Sequence, residues 1–400
     1  MADTTVTVHG VAWAASTAYA LNDNVGNDTS PIKIYKCITA GTSAGSGGPT
    51  GTGSDITDGG AHWAYQGERH YTSLNAALSG ESYNLTNNIH NSGQAGILTI
   101  DCYNFEDTTA ADTGTGYITD ADHYINIKAH DSHGGKWSTG AYRYAWNGSG
   151  YRSTAINIRA ELTQISGIQF LFNNTAYFTA KGVAITSVSA TIKNCIITET
   201  SSGRNLSCFL LYLNGTADKN VYIINNIIYG SSTTYNAGIQ VYDYKASAGT
   251  GGVYLYNNTI YRTSEGIYCG YTQAYGCLVK EFKNNLVNNA GTCYVYPSYI
   301  LTHSTNISSD TTSPDDTFDS KTVTFVDANG DDFHLASNDT NAINVGTDLS
   351  AIFTTDIDGE TRPTGAGTWD IGADEYIASG LAALNIYGIE MPWAQSANYR

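Results

Sequence analysis

A chain of 400 residues would ordinarily fold as about two or three domains, unless it grows by stacking repeats. Charged residues make up only 14% of it, while Gly, Asn, Ser and Thr are abundant and 30 residues are Tyr, a profile of turn-rich β-structure that excludes a helical protein. Acidic side chains outnumber basic ones 36 to 19, and the net charge of −17 excludes nucleic acid as a partner. No apolar run reaches the ~20 residues that a membrane helix needs, so no membrane insertion is expected.

Residues 1–67 form the first compositional unit, a small β-rich module. Short β-type runs around Trp13, Tyr35 and Trp63 alternate with Gly/Ser/Thr/Pro/Asp tracts. The spacing W-x5-Y, the run YKCITAGT, the string PTGTG and the closing WAY together resemble small chitin-binding-type modules, which are frequent in phage tail and fibre proteins. The resemblance implies sugar stacking on Trp13, Tyr19, Tyr35, Trp63 and Tyr65, or an attachment role. The competing reading is that these aromatics fill the centre of a domain with few other large apolar residues.

Residues 68–376 read as a parallel β-helix. In YTSLNAALSG, Ser73 is placed as an N-cap, with Leu74, Ala77 and Leu78 at helical spacing and Gly80 as a stop. This short helix, near 73–79, resembles the plug over the first rung of many right-handed parallel β-helices. Strand-like runs follow from Ile97, Tyr124 and Thr154, with a long insertion between Asp131 and Arg152.

The regular rungs span 163–300. The stretches ATIKNCIIT, VYIINNIIY, VYLYNNTIY and VKEFKNNLV align on Asn194-Cys195, Asn225-Asn226, Asn257-Asn258 and Asn284-Asn285. They recur roughly 30 residues apart, and a fainter copy puts Ser166-Gly167 one period earlier. Each period carries a second strand: FLLYL, AGIQVY, EGIYCG or GTCYVY. With a third, less regular side, this period predicts a three-sheet right-handed coil, an all-β fold. The paired Asn residues then fall at one corner of each rung, where stacked amides bond along the axis. Tyr229 and Tyr261 share a register, with their facing left open by the sequence.

The closing segment, 320–376, contains D-x-D-G-x-x-R-P followed by D-I-G-A-x-E. It resembles the end of many pectate-lyase-like β-helix proteins of bacterial surfaces. Asp356, Asp358, Arg362, Asp370 and Glu375 are its polar members, read as an arginine–carboxylate clasp over the last rung. Calcium is the one cofactor weighed, at Asp327, Asn329 and Asp331, whose alternate oxygens match only part of a calcium loop. The stretch 377–400 is apolar enough for a docking or oligomerisation tail. The seven cysteines show no CxxC spacing and are expected as reduced core residues.

A lyase or hydrolase on such a coil needs carboxylates in register on neighbouring rungs. Asp243 and Glu265 come nearest and do not share one. No nucleophile elbow and no metal-ligand histidine spacing is present. MADTTVTVHG shows no export leader. A coil of this kind without a leader is natural for a virion protein made in the host cytoplasm. The expectation is therefore a non-enzymatic tail fibre, spike or head-decoration protein. Its expected partners are surface glycans, other virion proteins and itself, as a homotrimer. The alternatives are a polysaccharide depolymerase and a secreted extracellular adhesin or filament subunit.

Overall fold

The computed structural model describes residues 3–27, 32–89, 96–114, 117, 119–148, 154–174, 180–200, 206–213, 218–230, 236–243, 251–270, 279–296, 302–364 and 369–378. Three parallel sheets form a solenoid. Sheet I has nine strands, from Thr4–Val8 and Leu98–Cys102 to Thr302–Ser304. Sheet II has eight, from Glu106–Asp107 to Ile307–Ser308, and sheet III has seven, from Ala111–Asp112 to Thr292–Val295. From Leu98 onward the chain visits I, II and III in turn, and each strand pairs in parallel with its successor one turn later. This is a three-sheet parallel β-helix, consistent with the right-handed coil.

Its interior follows from strand alternation. Ile100, Ile127, Ile165, Ile192, Ile223, Leu255 and Phe282 are register partners along sheet I, and all are buried. Phe170, Ile197, Ile228 and Ile260 make the matching column on sheet II. Each rung covers the apolar side chains of the one before, so the core is continuous although no single rung has one.

The repeat motif straddles two sheets. Val221 to Ile224 lie in sheet I and Ile227 to Tyr229 in sheet II, with Asn225-Asn226 forming the bend. The two Asn residues have different tasks. The first of each pair, Asn194, Asn225, Asn257 or Asn284, sits at φ between 50° and 57°, the left-handed region that Asn tolerates better than most residues. The second is a buried ladder member. Asn226 donates through N and Nδ2 to Asn258 Oδ1, at 3.1 and 3.0 Å. Asn258 does the same to Asn285 Oδ1, and Asn285 to Asn306 Oδ1. In the earliest copy Ser166 pairs with Lys193, so Gly167, at φ 69°, takes the place of Asn194. The sequence alignment is therefore corrected by one residue at that rung, because the left-handed position fixes the corner.

Both ends are covered. Helix α1 spans Leu74–Ile89, and Ser73 Oγ accepts the Ala76 N–H at 3.1 Å. Leu74, Ala77 and Leu78 are buried in one cluster with Val6 and Val8. Gly80 does not stop this helix. A Cβ there would lie 2.6 Å from the Tyr71 hydroxyl, so the glycine serves packing. At the far end Asp315 Oδ2 accepts from Asn306 N and Nδ2 at 2.9 and 2.8 Å, as the next rung's Asn would. Asp310 and Thr312 likewise accept the N–H groups of Cys293 and Tyr294.

The N-terminal module is an insertion. Thr4–Val8 pairs with Leu98–Cys102 as the first strand of sheet I. The chain then leaves to form a four-stranded antiparallel sheet of Asn24–Gly26, Lys33–Thr39, Ala61–Glu68 and Ile56–Asp58. It returns beside its point of departure, where the His9 N–H donates to Tyr71 O at 3.0 Å.

The closing segment lies along the flank of the coil and not across its last rung. Ile196, Ile227, Leu286 and Ile307 project outward from sheet II and are buried against Val323, Phe333, Ile357 and Ile371. An apolar outer face needs such a cover. It also settles the tyrosines: Tyr229 and Tyr261 face outward, each against Phe333, at 5.0 and 5.2 Å between centroids.

Candidate functional site

In the N-terminal module the five expected aromatics divide. Tyr35 and Trp63 have no exposed surface and form the core with Val25 and Cys37. Trp13, Tyr19 and Tyr65 pack on that core and are half-buried. Asp58 organises them, since one of its oxygens accepts the indole N–H of both Trp13 and Trp63, at 2.8 and 3.0 Å. Gly48, at φ 63°, approaches one face of Trp13 so closely that a Cβ would meet the ring at 2.9 Å. Any ring surface offered to a sugar comes from Trp13, Tyr19 and Tyr65.

Among the described residues, a dense polar cluster lies in the closing segment. Arg362 is 1% exposed. Its guanidinium donates to Glu375 Oε2 at 2.8 Å, to the Ala373 and Gly372 carbonyls at 2.8 and 3.0 Å, and to Asn225 Oδ1 at 3.3 Å. The clasp thus ties the D-I-G-A turn to a rung corner. Gly372, at φ 106°, allows the approach, because a Cβ would lie 2.7 Å from Thr259 Oγ1. Burial pulls the Arg362 pKa down, and burial, then Asp370, pushes Glu375 up to about 7. Burial likewise raises Asp370, whose carboxylate accepts the Asn344 and Tyr376 N–H groups, each at 2.6 Å.

Beside the clasp, His334 lies between two carboxylates, with Nδ1 2.5 Å from Asp332 and Nε2 3.3 Å from Asp358. The Asp358 bond, against the cost of burial and with help from Asp332, pushes His334 up to about 9. Burial opposes charge on Asp358, but the bond to His334 outweighs it and holds the group down to about 2. Burial, then Asp358, pushes Asp356 up to about 8, although four backbone N–H groups converge on its carboxyl, those of Asp358, Gly359, Glu360 and Glu375. Burial raises Asp374 to about 6.

Two groups of donors here come close enough to hold a metal ion: His334, Asp358 and Asp374, and Asp356, Asp358 and Glu360, each set within 4.8 Å. Most of these atoms already have protein partners, as with Asp374 Oδ2, which accepts the Leu335 N–H at 2.6 Å. An acid and a base with separated pKa values are also the ingredients of hydrolysis. Asp356, however, has no exposed surface, so no substrate reaches it. Structurally, the cluster is an ion-pair network that fastens the insertion to the closing segment. Lys136 reaches Asp332 at 3.3 Å, His133 Nε2 donates to Asn194 O at 2.9 Å, and Gly135 packs directly on His334.

The remaining candidates are dispersed. Asp327 closes a turn by accepting the Gly330 N–H at 3.0 Å, and Asp331 occupies the left-handed region at φ 61°. Asp243 ends the strand Asn236–Asp243, and its side chain lies outside the described residues. Glu265 begins the next strand opposite Ala237, which puts the two acids at opposite ends of neighbouring strands, about 20 Å apart at strand rise. Burial pushes the Glu265 pKa up, and Gln240 is its hydrogen-bond partner. Six cysteines are buried free thiols; Cys277 and residues 379–400, most of the expected tail, lie outside the described residues.

Sequence reasoning found Asp356, Asp358, Arg362, Asp370 and Glu375 but missed Asp332, His334 and Asp374. Alternation in DFHL puts Asp332 and His334 on one strand face, a legible signal. That the loop around Gly135 meets them was not legible. No protein-family model matches the chain, and no curated protein matches it either.

Proposed function

We propose that this chain is a non-enzymatic structural component of a virion, of tail-fibre, spike or head-decoration type, acting as a homotrimer that contacts surface glycans through its N-terminal module. The supporting observation is a rod covered at both ends, with a compact aromatic module inserted beside its first rung. α1 covers one end, and Asp310, Thr312 and Asp315 cap the last strand of sheet III and the Asn306 corner at the other, which disfavours end-to-end addition of rungs and favours lateral association. The module keeps Trp13, Tyr19 and Tyr65 at its surface, and their rings suit the apolar faces of sugars. A glycan array probed with the whole chain and with the Trp13→Ala variant tests this reading, which requires glycan signals that the variant loses. A monomer by light scattering at micromolar concentration would count against the trimer.

The depolymerase reading has one observation behind it, the partly exposed His334–Asp358 pair. It requires new reducing ends when the protein is incubated with polysaccharide, and their loss in His334→Gln.

A further inference from the structure

A recess of about 210 Å3 opens on the outer face of sheet I, beside the patch where Tyr222 and Tyr254 pack against Leu349 and Trp369 of the closing segment. Its floor is set by register. Gln164, Thr191 and Tyr222 are successive partners across three rungs, and Tyr254 follows on the next. Stacked on Tyr254 at 4.6 Å and 14°, Tyr222 has one face covered and its orientation fixed. Tyr222 lines the recess together with Tyr124, which precedes the sheet I strand three rungs earlier, two residues before Asn126, the register partner of Gln164. The rungs between carry the shorter Gln164 and Thr191, so a hollow is left where two larger side chains would have filled the row.

The lining has a definite chemistry. Gln164 and Thr191 make no side-chain hydrogen bond to any described residue, so an amide and a hydroxyl are available to a ligand. Asn220 supplies a second amide, whose oxygen accepts the Gly252 N–H at 3.2 Å. Leu162 adds an apolar contact from a left-handed backbone, φ 58°, a costly conformation for leucine held here by its N–H bond to Ser189 O at 2.8 Å. No lining residue carries a charge at neutral pH, in a chain whose net charge is −17. Beside the lining residues Leu162 and Asn220, Glu161 and Lys219 pair with each other at 2.8 Å, and beside Ala121 and Tyr124, Asp120 lies 2.5 Å from His123. Uncharged amide and hydroxyl groups between two aromatic walls match a ring with polar edges and apolar faces. The volume lies below the ~300–1,000 Å3 of pockets that enclose drug-sized molecules, which limits the occupant to a small unit.

We propose that this recess binds one uncharged pyranose unit of an oligosaccharide, a second glycan site independent of the N-terminal module. Tyr222 supplies the stacking face, and Gln164, Thr191 and Asn220 bond the ring hydroxyls. It shares with the reading above only the class of ligand. The test titrates the full chain calorimetrically with chitotetraose, maltotetraose and the anionic tetragalacturonate. Each is repeated in a Trp13→Ala background, with melting curves confirming that every variant is folded. An uncharged probe is expected to bind in that background, to weaken about tenfold with Tyr222→Ala or Gln164→Ala, and to be lost with Thr191→Trp, which fills the hollow. Unchanged binding in all three variants overturns the slot and leaves the module reading standing. Binding abolished by Trp13→Ala alone does the same. No binding of either uncharged probe, or slot-dependent preference for tetragalacturonate, overturns the assignment of ligand class.

Discussion

Asn258 stands in the middle of a chain of amides in which every polar atom has a task. It accepts two hydrogen bonds from Asn226, donates to Asn285, and donates to Ile223 O at 2.8 Å. Replacing it with Ala leaves these buried partners unsatisfied, at about 1–3 kcal/mol each. We therefore expect Asn258→Ala to lower the unfolding free energy by about 3–5 kcal/mol in denaturant titration. Asn258→Asp keeps the acceptor and loses the donors, so it should fall between. His334 makes the second prediction at this scale. Its folded pKa, about 9, lies above the ordinary 6.5, so its contribution to stability is complete below pH 6.5 and lost as pH rises through 9. The melting temperature of His334→Gln should thus approach that of the parent protein across this window. A constant difference from pH 6 to 10 would refute the assignment.

Among elements, the end caps show how a solenoid stops. Asp315 imitates the acceptor of one more Asn but has no side-chain N–H, and its backbone N–H turns back to Ser313 Oγ at 2.9 Å, so the ladder ends there. Asp315→Asn should retain most of the stability, and Asp315→Ala should lose about 1–3 kcal/mol through the orphaned Asn306 donors. Equal loss in both would mean that the charge matters and the geometry does not. Helix α1 was legible from Ser73, Leu74, Ala77 and Leu78, but its length was not. Gly80 reads as a terminator, and only its contact with Tyr71 reveals it as a packing residue. The strand pattern around the corners was legible for a related reason: alternation and the left-handed Asn are local demands of the backbone.

At the scale of the whole molecule, the first strand belongs to the solenoid although a separate module follows it. Removing residues 1–67 takes away the strand Thr4–Val8, leaving the Leu98–Cys102 edge unpaired and the α1 contacts with Val6 and Val8 lost. Deleting only 12–68 and joining the ends with a Gly-Gly link keeps that strand, since Val8 and His9 already lie beside Tyr71. We expect the first protein to aggregate or melt several degrees lower, and the second to retain the β-sheet circular dichroism and melting of the parent coil.

The sequence by itself determined the parallel coil, its corner ladder, the capping helix and the polar members of the clasp. All of these arise from interactions repeated at short range or at one fixed period, where each rung meets the same neighbours. Only the tertiary structure decided that the closing segment runs along the flank, that Tyr229 and Tyr261 face out beneath it, that His334 joins two carboxylates, and that a hollow opens between Tyr124 and Tyr222. These depend on contacts between segments separated by whole rungs. No local pattern encodes such a distance; it follows from how many residues each turn of the coil consumes.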